Sequence, residues 1–352
     1  MVFKKRRNTR KKKYIQKGGN SILNGRNIKL KKQFIIKNQN QSSKLKTNST
    51  TRAGEQCSPD RENGFTCFSK KNLIKIASQW NENHNDNDKI KIDYETKLSL
   101  WKRIDNKLKK QCSNEFCWTR QPFFKKTTKK LGSGMEQKTV KTSIVNESFR
   151  TNLPKTWLKN PTEWLSTTDI RNVMKQYEMK YNDFLFIGPV PLDFGSQDEY
   201  NMGRCISQEL CNIDINKWIK KNKMRIGIVF NLDPHDMPGS HWVGLFFCLY
   251  SGKVCYYDSF GARPEYEIKK LINTLKSQIN EKLNLKPKIY ENNVRHQYST
   301  TECGVYSMYF IEKMLEGMSY ENFIKYNLND KQINRYRHHF YNTFIYDDND
   351  KK

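Results

Sequence analysis

The hydrophobic and polar positions from about residue 151 onward predict strands and helices in an irregular order. Two nearly continuous apolar runs, RIGIVFNLD (225–233) and HWVGLFFCLY (241–250), are typical of buried strands. Ser-Gly after the second run predicts a turn into a third strand, KVCYYDSF (253–260), and KPKIYENNV (286–294) predicts a fourth. Helical spacing occurs in EWLSTTDIRNVMKQYEMKY (163–181), after Pro264 and after Cys303. The last two stripes are Ile268, Leu271, Ile272, Leu275 and Ile279, and Gly304, Met308, Ile311 and Leu315 with Gly317 as a stop. Because strands and helices mix without strict alternation, we expect an α+β fold with a mixed sheet flanked by helices.

The N-terminal part of the chain has a different pattern. Residues 1–55 show no lasting apolar period and predict a disordered basic tail. Residues 56–120 predict a small helical domain: Ser69 is a candidate helix cap. The apolar stripes of its two helices are Leu73, Ile76, Ala77 and Trp80, and Leu98, Trp101, Ile104 and Leu108. Residues 121–150, with a Gly-Ser-Gly joint, predict a linker to a second domain at 151–352.

Charge is concentrated in the tail. The chain of 352 residues has a formal net charge of +28, and residues 1–50 hold 16 Lys and Arg with no acid. Such a segment suits nucleic acid or another polyanion, or a nuclear address, although a solvated tail without a partner is the alternative. The longest apolar run, WVGLFFCLY, has nine residues, far from the ~20 of a membrane span. The basic start lacks the apolar stretch of a secretory signal.

The chain has nine cysteines. An odd count without a secretory signal favours reduced thiols in an intracellular setting. Cys57, Cys67, Cys112 and Cys117 flank the helices of the small domain, but their spacing does not fit paired zinc knuckles. Buried or loosely paired thiols therefore suit these four residues better than a zinc site, and we expect no metal or other cofactor.

Cys303, in HQYSTTECGVYSMYF (296–310), is either a small apolar residue at a helix start or a nucleophile. A helix N-terminus favours a thiolate and directs backbone N–H groups at a developing oxyanion. The next residue, Gly304, allows a substrate backbone to come close. Gln297 offers an uncharged side-chain donor six residues upstream.

A nucleophilic cysteine also needs a base and a group that orients the base. Of the six histidines, His241 begins a predicted strand in GSHW, and Asp258 ends the next strand in YYDSF. A hairpin would return both residues to the same edge of the sheet, but a strict two-residue turn would stagger them by about 13 Å. The alternatives without a catalytic role are a hydrogen-bonded histidine at a sheet end for His241 and a turn-capping aspartate for Asp258.

These residues together resemble the ubiquitin-like-protein protease superfamily. GSHW, an Asp seventeen residues after the His, and Q-x5-C-G-V-Y match its order and gaps over roughly residues 155–345. This group includes SUMO proteases, adenovirus-type maturation proteases and core-protein proteases of nucleocytoplasmic large DNA viruses. The resemblance implies a papain-like core in permuted order, with Cys303 as nucleophile, His241 as base and acid, Asp258 as orienter and Gln297 as oxyanion donor. It also implies that Trp242 and Trp164 wall a narrow tunnel for Gly-Gly, with core packing as the alternative for both.

What the enzyme cuts is less defined. SUMO proteases usually carry an acid shortly after the WL pair, whereas WLSTT has none before Asp169. This departure and the basic tail favour the viral group. The resemblance to that group implies cleavage of structural polyproteins after Gly-Gly, so we expect maturation of viral capsid or core proteins. A deSUMOylating or related isopeptidase and a nucleic-acid-binding virion protein are the rivals. The expected location is the virion and the host cytoplasm, with the host nucleus as a second site. KGGNS (17–21) is either a site of self-cleavage or a flexible Gly-Gly in the tail.

Overall fold

A computed structural model describes residues 56–92, 96–124, 140–198 and 202–342. The predicted basic tail and its KGGNS motif lie outside these residues, as do residues 125–139 of the predicted linker. The elements that position the candidate site belong to the region from residue 151 to residue 342.

The described residues form a mixed α/β structure, which confirms the predicted α+β class. The helices are α1 (Lys70–Glu82), α2 (Lys97–Leu108), α3 (Glu115–Trp118), α4 (Val140–Ser148), α5 (Thr167–Lys180), α6 (Gln208–Cys211), α7 (Ile215–Lys220), α8 (Tyr266–Leu283), α9 (Cys303–Leu315), α10 (Tyr320–Lys325) and α11 (Asp330–Phe340). The strands are β1 (Thr151–Asn152), β2 (Phe184–Pro191), β3 (Gln197–Asp198), β4 (Arg204–Cys205), β5 (Arg225–Asn231), β6 (Trp242–Cys248), β7 (Lys253–Tyr257), β8 (Lys288–Glu291) and β9 (Tyr341–Asn342). Two short 3₁₀ helices cover Asp86–Asp88 and Lys155–Leu158.

The central sheet has five strands in the order β2-β5-β6-β7-β8. The outer pairs β2/β5 and β7/β8 are parallel, and β5/β6 and β6/β7 are antiparallel. Every residue of β5 and β6 is buried except the last of each strand, as the continuous apolar runs predict. The apolar stripe predicted after Pro264 is buried in α8, although this helix begins at Tyr266 and not at the proline.

Helices cover both faces of the sheet and form a separate core on each. One core gathers α5, α9, α10 and α11, and the other gathers α7 and α8. Helix α9 lies directly on β6 because Gly244 has no side chain there: a Cβ at this position would come within 2.8 Å of Phe310 Cδ1. This close contact fixes the height of α9, and therefore of Cys303, above the sheet.

The N-terminal helical region has its own apolar core. Ser69 caps α1 by accepting the Asn72 N–H, as predicted, and the stripe predicted for α1 is buried. In α2 the buried residues include Leu100, while the predicted Leu98 is exposed. Within the stretch predicted as a linker, α4 forms a helix whose Ile144 packs into this same core.

Six of the nine cysteines form disulfides, Cys57–Cys67, Cys112–Cys117 and Cys205–Cys211. The expectation of reduced thiols is therefore wrong for these six, because local turns bring the Cα atoms of each pair within 6.1 Å. The four cysteines considered for zinc make two separate disulfides. No helix in the described part of the chain has both the length and the apolar composition of a membrane span.

Candidate active site

Cys303 is the first residue of α9 and remains a free thiol, together with Cys248 and Cys255. The N-cap residue Glu302 makes no side-chain cap hydrogen bond, so the positive end of the α9 dipole is left uncapped next to Cys303, where it favours a negative charge. Cys255 shows the contrast: burial raises the pKa of its thiol to about 12, which makes it inert at neutral pH. Cys303 is also buried, with 1% of its surface exposed, but it faces a histidine.

His241 contacts both of its predicted partners. Its Nε2 lies 2.6 Å from Asp258 Oδ1, and the Cys303 side chain is near enough to the imidazole to raise the pKa of the ring. Because Asp258 occupies Nε2, Nδ1 is the ring nitrogen left for the sulfur. Asp258 itself is held in place, since its Oδ1 accepts the Phe260 N–H at 2.8 Å and its own N–H donates to Asn292 Oδ1 at 2.9 Å.

The hairpin register explains how His241 and Asp258 meet. Cys248 pairs with Lys253 and Gly244 with Tyr257, so four residues, and not two, connect the strands. Continued to the end of the hairpin, this register places His241 and Asp258 two positions apart, about 7 Å along a strand. Diagonal reach of the two side chains covers the remainder. The turn predicted at Ser-Gly is present but spans four residues, so the stagger that a strict two-residue turn would impose does not arise.

The electrostatics of the site favour a charged pair. Burial alone would lower the pKa of His241, but the hydrogen bonds to Asp258 and Cys303, with their negative charges, raise it to about 9. The imidazole therefore carries a proton at neutral pH and can pass that proton to a leaving group. On its other side the ring stacks on Phe260, with centroids 4.3 Å apart and planes at 7°.

Gln297 is fully buried and its side-chain amide is oriented by neighbours. Its Oε1 accepts the Ser259 hydroxyl at 2.6 Å, and its Nε2 donates to the Ser299 carbonyl at 3.0 Å. Nε2 carries two N–H groups, and the second has no acceptor among the described residues. That N–H is free to serve a developing oxyanion, as the sequence predicts.

The predicted substrate-binding residues adjoin Cys303 through Leu165. Trp242 Nε1 donates to the Leu165 carbonyl at 3.1 Å, and a Cβ at Gly304 would lie 3.0 Å from Leu165 Cδ1 and 3.2 Å from Trp242 Cδ1. Gly304 thus makes room for the protein's own side chains, a reason that the sequence did not suggest. Trp242 belongs to the core with 5% of its surface exposed, while Trp164 is 39% exposed at the edge of this wall.

Arg337 is a buried residue near the site that sequence reasoning missed. Its guanidinium donates to the Thr301 carbonyl at 3.2 Å and to the Glu163 carbonyl at 2.7 Å. It therefore joins the segment before Cys303 to the segment before Trp164. Three further residues were missed as well, although they belong to motifs that the sequence singled out: Ser259 and Phe260 to YYDSF, and Leu165 to the WL pair.

The structure thus brings His241, Asp258 and Cys303 into one hydrogen-bonded cluster, with Gln297 linked to it through Ser259. Trp242 and Gly304 line the same cluster, and Trp164 lies at its edge. Their individual roles in catalysis and substrate binding remain predictions, with experiments given below. Such a cluster can generate a thiolate, protonate a leaving amine and stabilise an oxyanion, which are the requirements of peptide-bond hydrolysis by cysteine.

Comparison with known proteins leads to the same chemistry. A profile of the Ulp1 protease family, C-terminal catalytic domain, matches residues 205–347. A protein of Acanthamoeba polyphaga mimivirus, named as a thiol protease, is 31% identical over 306 residues, covering 81% of this chain and 92% of its own length. A cysteine protease of African swine fever virus, which in some isolates is named SUMO-1 cysteine protease, is 26% identical over 189 residues, covering 52% of this chain and 69% of its own.

A solved structure supports the fold. The crystal structure of the African swine fever virus protease superposes with a TM-score of 0.53 at 20% identity, over 83% of this chain and 97% of that one. At this level of identity the likeness concerns the fold alone. The near full-length match to the mimivirus protein and the family profile go further: this chain belongs to the Ulp1 family and is a cysteine protease.

Proposed function

We propose that this chain is an endopeptidase that cuts viral capsid or core polyproteins after Gly-Gly. The observation that carries the proposal is the aromatic wall beside Cys303, where Trp242 is held against the Leu165 carbonyl and Trp164, 39% exposed, lies at the edge. Two indole rings at the approach to the thiol would exclude side chains from a substrate strand that runs along them. Glycine at the two positions before the scissile bond meets that restriction.

In the proposed reaction His241 first donates a proton and later accepts one. The Cys303 thiolate attacks the glycine carbonyl carbon, and the oxyanion accepts hydrogen bonds from the Cys303 N–H and from Gln297 Nε2. His241 gives its proton to the leaving amine as the C–N bond breaks, which leaves a thioester on Cys303. Water, deprotonated by His241, then attacks the thioester carbonyl. The C–S bond breaks, the acid product leaves and the Cys303 thiolate and protonated His241 are restored, while Asp258 keeps the imidazole oriented.

A peptide assay tests this proposal. Purified full-length protein is incubated with an internally quenched peptide containing Gly-Gly-X and with matched peptides in which either glycine is alanine. We expect turnover of the Gly-Gly peptide, a drop of about 100-fold for either alanine peptide, and background activity for Cys303→Ala. Equal turnover of all three peptides would overturn the Gly-Gly specificity.

A SUMO isopeptidase is the second candidate, and the name SUMO-1 cysteine protease given to African swine fever virus relatives favours it. The same glycine-selective wall would accept a modifier ending in Gly-Gly. A SUMO conjugate is therefore assayed beside the peptide at equal concentration. Efficient cleavage of the conjugate with no peptide turnover would replace the maturation function with this one.

The basic tail completes the proposal with a polyanion partner. The 16 positive charges of residues 1–50 would hold the enzyme on nucleic acid at the site of virus assembly, in the virion or the host cytoplasm, or carry it to the host nucleus. Deleting residues 1–50 should weaken DNA binding and reduce its salt dependence. Unchanged binding by the deleted protein would remove the tail from this role.

A further inference from the structure

Exposed apolar and aromatic side chains surround one arginine beside His241. We call this surface the aromatic shelf and define it as Phe260, Val294, Arg295 and Tyr298. Phe260 is 38% exposed, Val294 44% and Tyr298 73%, and Arg295 is also exposed. Such a group of apolar side chains in solvent marks a surface that another molecule covers.

Arg295 is fixed within the shelf although it is exposed. Its guanidinium lies 5.2 Å from the ring centroid of Phe260 and 5.0 Å from that of Tyr298. Its Nε donates to the Gln297 carbonyl at 2.8 Å. The two terminal nitrogens have no hydrogen-bond or ion-pair partner among the described residues. A preorganised cation thus presents unused donors to solvent, between two ring faces.

The chemistry of the site tells which part of a substrate would meet the shelf. His241 must protonate the leaving amine, so the residue after the scissile bond lies within hydrogen-bond reach of this imidazole. Phe260 packs against the same imidazole with centroids 4.3 Å apart, and the Arg295 guanidinium lies over the Phe260 ring. The guanidinium is therefore no more than about 10 Å from the imidazole, within the length of about three extended residues.

We infer that the aromatic shelf is a subsite for the substrate segment that follows the scissile bond, and that Arg295 selects an acidic side chain there. The inference rests on the proposed protease activity of Cys303 but not on its Gly-Gly specificity. A carboxylate can take two parallel hydrogen bonds from the free edge of a guanidinium. The ring faces of Phe260 and Tyr298 would cover the aliphatic part of the same side chain.

The test reads the sequence on both sides of every cut. The full-length protein digests a library of peptides from a proteome, and the cut sites are identified by mass spectrometry. We expect Asp or Glu to be enriched within the first three residues after the cut. Matched peptides with Asp or Asn at the enriched position then give a ratio of kcat/KM, for which we expect a preference of about five- to tenfold for Asp.

Variants assign this preference to the shelf. Arg295→Gln should bring the Asp/Asn ratio close to one, and Arg295→Lys should leave an intermediate ratio because the charge remains without the planar fork. The control Lys276→Gln removes one exposed positive charge from α8, on the opposite face of the sheet, and should keep the wild-type ratio. A ratio cancels any general loss of activity that follows from the contact between Arg295 and the Gln297 carbonyl.

The outcomes separate this inference from the proposed function. Cuts that follow Gly-Gly without acidic enrichment, or a ratio that survives Arg295→Gln, would overturn the subsite. Cuts at other sequences that still show Arg295-dependent acidic enrichment would support the subsite and overturn the Gly-Gly proposal. If the Asp/Asn ratio fell equally in Lys276→Gln, the preference would come from the overall charge of the protein, and the subsite at Arg295 would be refuted.

Discussion

At the scale of single residues, the Asp258 carboxylate determines how far the pH can rise before His241 loses its proton. The pKa of His241 is about 9 because the hydrogen bonds and charges of Asp258 and Cys303 outweigh burial. We expect wild-type activity to persist to about pH 9 and to fall above it. Asp258→Asn removes one of these charges, so the basic limb should move to lower pH and kcat/KM should fall by about 10- to 100-fold. The measurement is kcat/KM for the Gly-Gly peptide across this range.

Two controls accompany that profile. The raised pKa of His241 stabilises the fold fully below its ordinary value of about 6.5, and this contribution is lost as the pH rises through about 9. Circular dichroism at each pH therefore separates unfolding from loss of the imidazolium. Asp236→Asn makes the same change at an exposed residue of the loop before His241 and should leave the profile unchanged. An unmoved basic limb in Asp258→Asn would show that another group sets it.

Ser259 is a positioning residue for the proposed oxyanion donor. Its hydroxyl donates to Gln297 Oε1 at 2.6 Å, which directs Nε2 away from Ser259. Ser259→Ala should lower kcat by about tenfold with little change in KM, because the amide would no longer be fixed in one orientation. Ser259→Thr keeps the hydroxyl and should restore most of kcat.

A double mutant decides whether Ser259 acts through Gln297. Adding Ser259→Ala to Gln297→Ala should cause little further loss of kcat, since the amide to be oriented is already absent. Multiplied losses in the double mutant would show instead that Ser259 serves the fold or another group.

Sequence reasoning selected the candidate catalytic residues that the structure brings together, but it missed the residues that hold them in place. His241, Asp258, Gln297 and Cys303 carry recognisable chemistry at spacings that resemble a known family. Phe260 and Leu165 act through a ring stack and a backbone carbonyl, contacts that depend on the three-dimensional fold and leave no mark in spacing. Arg337 lies 36 residues from Thr301 and 174 from Glu163, so its two contacts were beyond any local pattern.

At the scale of secondary-structure elements, the apolar runs predicted the central strands correctly. The pattern of apolar residues failed where a turn motif or a second helical stripe fitted the same stretch. β2 (FLFIGPVP) was missed because its Gly-Pro pair is typical of a turn, yet it pairs with β5 along most of its length. Leu98 was placed in the core in place of Leu100 because both fit the helical period: Leu98 lies three residues before Trp101, and Leu100 lies four residues before Ile104. Tertiary packing chose between these alternatives.

The contact of α9 with β6 gives a prediction at the same scale. In Gly244→Ala the new methyl group would lie 2.8 Å from Phe310 Cδ1. The Phe310 ring is fully buried and therefore has little room to move away. We expect a loss of about 1–3 kcal/mol in the free energy of unfolding, measured by denaturant titration. Activity should fall as well, because α9 carries Cys303.

Gly195→Ala provides the matched control for that substitution. A Cβ at Gly195 would have no atom within 4 Å, so this variant should unfold within about 0.5 kcal/mol of the wild type. Equal stabilities of Gly244→Ala and Gly195→Ala would contradict the close packing of α9 on the sheet.

At the scale of the whole molecule, partly buried ion pairs join parts that lie far apart in the sequence. Glu62, from the N-terminal helical region, pairs with Arg150 at 3.0 Å and also with Lys180 of α5. Glu62 is 88 residues from Arg150 and 118 from Lys180, and a chain rich in lysine and arginine offers no way to choose these partners from sequence. The structure therefore adds a connection between the N-terminal region and the protease core that composition could not predict.

The buried carboxylate of Glu312 joins three helices and should make the fold sensitive to acid. It accepts hydrogen bonds from Tyr336 and His339 of α11, each at 2.7 Å, and from Tyr177 of α5. Burial alone would raise its pKa, but His339 and Lys313, together with these hydrogen bonds, lower it to about 2. A lowered pKa gives stability that is complete above the ordinary value of about 4.5 and is lost as the pH falls toward 2.

Unfolding at two pH values tests this role. Between about pH 7 and pH 3 the wild type should lose roughly 2 kcal/mol of unfolding free energy through Glu312 alone. Glu312→Gln should be less stable at pH 7 because it removes the charge that pairs with Lys313 and leaves one oxygen to accept three hydrogen bonds, but it should lose less on acidification. Glu316→Gln, which changes an exposed carboxylate one residue beyond α9, should keep the wild-type pH dependence. If Glu312→Gln lost as much stability as the wild type between these pH values, the acid sensitivity would have to arise from other carboxylates.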